Sequence, residues 1–131
     1  MVAHLVLLRL KPALPATELL SFAQSVAAIC RRIPAVRSAW VGHRSDIDAG
    51  YPRSLGDTTY DYAAILRFDD REGLLEYLRH PNHSELGRRF WEICDGTVVF
   101  EGDLVDLKLF DPPDDWSNDQ AARAQAYRKN D

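Results

Sequence analysis

The sequence predicts an α+β domain with the element order β-α-β-β-α-β. Short apolar stretches with a strand-like period of two fall at residues 2–10, 36–44, 60–68 and 97–110. A helical stripe separates the first two, and a helical region broken at His80-Pro81 separates the last two. That order is the split β-α-β arrangement of ferredoxin-like folds, a four-stranded antiparallel sheet with two helices on one face.

Residues 2–10 form a short, nearly continuous apolar run, with Val2, His4, Val6 and Leu8 on one face and Ala3, Leu5, Leu7 and Arg9 on the other. From Pro15 to Ile33 the apolar positions Leu19, Phe22, Val26, Cys30 and Ile33 make a helical stripe. Pro15 suits the first turn, Arg31 and Arg32 complement the carbonyl end, and Pro34 stops the helix. The second strand spans 36–44, with Trp40 on one face and Val41 on the other. A polar loop of residues 45–58 follows, long enough to suggest function or mobility. In the third strand Tyr60, Tyr62, Ala64, Leu66 and Phe68 share a face.

Asp69 and Asp70 are caps for the next helix, with Glu72 completing an Asp-x-x-Glu pattern from Asp69. That helix is expected to end at His80-Pro81. A second, from about Ser84 to Cys94, turns Leu86, Phe90, Trp91 and Cys94 inward, with Gly96 as its stop. The last strand is read as unusually long, residues 97–110, with Gly102 marking a bulge. The tail from Trp116 reads as a capped helix through Ser117 and Gln120.

A chain of 131 residues fits one domain, and a 46% hydrophobic content lets it bury a core without staples. A net charge of −4 argues against a nucleic-acid partner. No apolar run is long enough to span a membrane, and Val2–Leu8 has neither the charged start nor the cleavage site of a signal peptide. A cytoplasmic location is the expectation. Cys30 and Cys94 form no CxxC pair and read as buried thiols. Apolar residues on both faces of the first and third strands leave one sheet face needing a cover, and a symmetric homodimer supplies it. The long last strand would then reach the partner's sheet.

Tyr77-Leu78-Arg79-His80-Pro81-Asn82-His83 is the stretch that suggests chemistry. A neutral imidazole takes up a proton near neutral pH, and a tyrosine hydroxyl can donate to a developing oxyanion. Each residue also has a structural reading. His80 suits the helix end, where it can bond loose carbonyls. His83 could bond the chain reversal or cap the next helix, and Tyr77 could pack beside Leu74 and Leu78. His4, on an otherwise apolar face, is either a satisfied core histidine or a pocket residue. No metal is expected, because Pro81 keeps His80 and His83 off one regular helix face. Asp61 and Asp103 read as solvated or salt-bridged carboxylates.

The sequence resembles the stress-responsive A/B barrel domain (Dabb) family, a branch of the dimeric α+β barrel proteins. The carriers are Val2-Ala-His-Leu-Val-Leu-Leu, Ile33-Pro-Ala-Val-Arg-Ser, residues 62–69, and above all Tyr77-Leu-Arg-His-Pro-Asn-His. The resemblance implies a domain over residues 1–110; residues 111–131 lie beyond the family pattern and are expected to form a C-terminal extension, a short helix packed on the dimer. It implies either of two functions. One is a cofactor-free cyclase, isomerase or lyase acting beside the carbonyl of a small hydrophobic compound. The other is a non-catalytic dimeric stress-response or binding module. In the catalytic branch the positions matching His83 and Tyr77 are general base and carbonyl-orienting donor. His4, Val6, Val26 and Trp91 would line the substrate pocket, expected to be closed and inside the barrel. An aromatic pocket residue of that branch's first helix is replaced by an aliphatic one around Val26.

Overall fold

The computed structural model describes residues 1–53, 56 and 58–111. Its elements are β1 (Val2–Leu10), α1 (Ala16–Arg32), β2 (Ser38–His43), β3 (Tyr62–Phe68), α2 (Arg71–Arg79), α3 (Pro81–Ile93) and β4 (Cys94–Asp103). The strands form one antiparallel sheet in the order β2-β3-β1-β4. This is the ferredoxin-like arrangement.

Register fixes the two faces. Val2, His4, Val6 and Leu8 lie opposite Phe68, Leu66, Ala64 and Tyr62 of β3, and opposite Asp103, Glu101, Val99 and Thr97 of β4. This face meets the helices. The core gathers there, from Val2 and Leu8 through Phe22 and Ile29 of α1 to Leu66 and Phe68 of β3. Phe68 is fully buried and Ile33 nearly so, and each such burial contributes about 1.5–3 kcal/mol.

The opposite face is uncovered in the single chain. Trp40, Ile65, Leu5 and Phe100 make one row across the four strands, and Gly42, Ala63, Leu7 and Val98 make the next. Trp40 is 67% exposed and Phe100 55%.

Several expectations are corrected. The last strand stops at Asp103, not Phe110, because its neighbour runs out. Val2 pairs with Asp103, and the Leu104 N–H bonds the Met1 carbonyl. The irregularity in this pair falls between Arg9 and Leu10, not at Gly102. There the Leu10 N–H is satisfied by the Asp61 carboxylate at 2.9 Å, so Asp61 is a backbone acceptor as well as a surface charge. Asp70 rather than Asp69 caps α2, accepting from the Gly73 N–H at 2.9 Å, while Asp69 pairs with Arg37 at 2.8 Å. α3 starts at Pro81, three residues earlier than expected, since proline at the first helical position loses no needed bond. It runs directly into β4 at Cys94, so Gly96 lies within the strand rather than stopping the helix. The second and third strands are shorter than predicted, starting at Ser38 and Tyr62. The predicted tail helix lies outside the described residues.

Candidate functional site

A cavity of about 290 Å³ lies between the helix-facing side of the sheet and α1, α2 and α3. It is therefore built within one chain, beneath the helices, and not inside a barrel closed by two sheets. It is also open on one side, where Trp91 and Val99 are 67% and 51% exposed.

The polar groups collect at one end. His4 of β1 is buried, and its Nδ1 lies 3.0 Å from Glu101 Oε1 of β4. The Tyr77 ring stands edge-on to His4 at 5.6 Å and to His83 at 4.8 Å. The helix break creates this meeting. In an unbroken helix, residues six apart sit about 9 Å along the axis and about 120° around it. The residue before a proline is pushed into extended backbone, and His80 adopts φ −65°, ψ 136°. α2 ends there and α3 restarts at Pro81, so Tyr77 from the last turn of one faces His83 from the first turn of the other. His80 accepts from the Asn82 N–H through Nδ1 at 3.2 Å. Its side chain caps the new helix while its backbone N–H bonds the Tyr77 carbonyl of the old one at 3.2 Å, and it is His80, not His83, that caps α3.

The electrostatics suit proton transfer. The Leu78 backbone carbonyl near the His83 ring favours a proton on the nitrogen that faces it, which leaves the other nitrogen an acceptor in the neutral ring. Burial, then the nearby His4, hold the His83 pKa below its ordinary value, outweighing the Leu78 carbonyl and Glu101. Burial also lowers His4, against the pull of Glu101. Burial pushes Tyr77 up to about 12, with Cys30 adding to the shift, so its hydroxyl stays a donor at neutral pH. No buried side-chain nitrogen or oxygen among the described residues lacks a hydrogen-bond partner. None of the hydrogen bonds seen among them engages the Tyr77 hydroxyl, so its oxygen opens onto the cavity.

The remaining walls are apolar, among them Val6, Leu8, Leu66, Leu86 and Phe90. Thr97 spends its hydroxyl on the Leu7 carbonyl at 2.9 Å. Among the described lining residues there is no lysine or arginine, and no group of three or more His, Cys, Asp or Glu stands ready to hold a metal ion. All six residues singled out from sequence, His4, Val6, Val26, Tyr77, His83 and Trp91, lie on this cavity. Trp91 stands at its mouth, mostly exposed, rather than turned inward. Of the other lining residues, Phe22 and Glu101 matter most for the site. Phe22 of α1 sits beside Val26, so the first helix does present an aromatic ring. Glu101 appears in the sequence only as one position of an alternating strand; its partner His4 is 97 residues away.

The stress responsive A/B barrel domain family model matches residues 2–103. The chain belongs to this family. Among solved structures, the stress-responsive A/B barrel resembles an Arabidopsis thaliana protein with a TM-score of 0.69 and 20% identity, over 83% of this chain and 100% of that one. A hydroxynitrile lyase from Passiflora edulis gives a TM-score of 0.68 at 19% identity, covering 80% and 94%. A dimeric ferredoxin-like protein of unknown function from Thermobifida fusca gives 0.63 at 18%, covering 79% and 90%. At these identities the likeness is one of fold. No curated protein matches the chain. No helix among the described residues is long and apolar enough to cross a membrane.

Proposed function

We propose that this chain is a cofactor-independent acid–base catalyst acting beside the carbonyl of a small, uncharged, hydrophobic compound, as a homodimer. One observation carries the reading: two imidazoles and a tyrosine hydroxyl meet at one end of an otherwise apolar cavity. His83 is the general base. The Leu78 carbonyl beside the ring favours a proton on the nitrogen facing it, and the lowered pKa keeps the other lone pair free at pH 7. Tyr77 donates to the oxygen on which charge develops. His4 holds the polar end, and Val6, Val26 and Trp91 shape the apolar remainder. A cavity of about 290 Å³ has the volume of roughly ten water molecules at about 30 Å³ each, room for a small organic molecule. With no cation on its described walls it favours neutral molecules over carboxylates or phosphates.

The homodimer reading rests on the two apolar rows of the outer sheet face, and several similar structures are described as dimeric. A non-catalytic dimeric binding module is the second reading, and the Leu78 carbonyl beside the His83 ring, which would engage one of its nitrogens, favours it. Deuterium uptake at the carbon beside the carbonyl, followed over a panel of neutral ketones and aldehydes, separates the two. Hydroxynitriles join the panel because one neighbour in fold is a hydroxynitrile lyase. Catalysed uptake or cleavage that His83→Ala abolishes supports the catalyst. Binding without any turnover supports the module.

A further inference from the structure

Among the described residues, Glu101 is the only polar one that lines both the apolar cavity and a second surface pocket, of about 340 Å³, on the other side of Leu78. That back pocket is walled by Arg71 and Leu75 of α2 and by Val2, Gly102 and Asp103 of the sheet. Glu101 thus has one oxygen on the buried His4 Nδ1, while its side chain is 40% exposed. A ligand filling the main cavity would close the mouth at Trp91, and a proton moved inside would then need another way out.

We propose that Glu101 is a proton port, linking His4 to water in the back pocket independently of the cavity mouth. This rests on the catalytic reading for its purpose but not for its chemistry. A proton binds His4 Nε2 from the cavity side. The Nδ1–H bond breaks and its proton forms an O–H bond on Glu101 Oε1. The carboxylic acid then releases that proton to water beside Arg71 and Asp103. Run in reverse, the same chain delivers a proton to the cavity and restores the first tautomer. Glu101 acts through His4, as a positioning and relay residue.

The test needs no substrate, so it stands or fails separately from the catalytic reading. Exchange of the His4 Nδ1 proton with bulk water is followed by nitrogen-15 NMR on the intact protein. Glu101→Gln keeps an acceptor for Nδ1–H but cannot carry a proton, and slows exchange on the order of 10²-fold, the scale of a positioned acid–base group. Glu101→Asp retains most of the rate. Leu75→Trp, which fills the back pocket without touching His4, slows exchange as well. Unchanged exchange in Glu101→Gln would overturn the port and place the route at the mouth. If Leu75→Trp does not fold, the near-isosteric Glu101→Gln decides alone.

Discussion

Tyr77→Phe separates packing from chemistry, because it removes one oxygen and nothing else. The ring keeps its neighbours: Phe68 at 5.6 Å, His4 at 5.6 Å and His83 at 4.8 Å. The hydroxyl contributes no hydrogen bond seen among the described residues, so its loss leaves no buried partner unpaired. Folding stability is therefore expected to change by less than about 0.5 kcal/mol, the usual range where no named interaction is lost. The reaction has a different dependence. If the hydroxyl is the donor for a developing enolate oxygen, deleting it costs about 10²–10³ in kcat, or roughly 2.7–4 kcal/mol of barrier. Urea denaturation gives the first number and deuterium uptake into a ketone substrate gives the second. The reasoning is refuted if Tyr77→Phe is destabilised by more than about 1 kcal/mol, or exchanges deuterium as fast as the parent.

Three further outcomes are expected. Ile65→Glu sets a charge in the middle of the row formed by Trp40, Ile65, Leu5 and Phe100; light scattering should show a dimer turned to monomer, while an unchanged mass would remove this face as the interface. Stability should fall as pH drops below about 6.5: His4 and His83 have lowered pKa values when folded, so the unfolded chain binds more protons and the slope of stability with pH is positive. A flat or rising urea midpoint on acidification contradicts that. Gly87→Ala in α3 meets nothing within 4 Å of the new methyl and should stabilise by about 0.8–1 kcal/mol in thermal or urea melts; a loss would mean the helix is strained there.

Much of this arrangement is legible in the sequence because it is local. Alternation in residues 2–10 placed His4, Val6 and Leu8 together, and register confirms it. The His80-Pro81 step announced a helix break, since proline constrains the residue before it. The last strand misled because its alternation continues in Val105, Leu107 and Leu109, which are exposed. A strand needs a neighbour, and β1 ends its pairing at Val2. Pro81 both breaks α2 and, at the first helical position, begins α3. Glu101 and Phe22 could be given positions on faces but not partners, because their neighbours come from distant elements. The cavity's location depended on how three helices lie on the sheet, which no single stretch encodes.

The most direct test of the catalytic claim is deuterium uptake beside the carbonyl of a small neutral ketone, measured by proton NMR in heavy water with the parent protein and with His83→Ala. Uptake above the buffer rate is expected for the parent, with a plateau from below pH 6.5 upward as His83 loses its proton. A loss on the order of 10²–10⁴ is expected in the variant. Equal rates in parent and variant, on a ketone the parent does accelerate, would contradict His83 as the base.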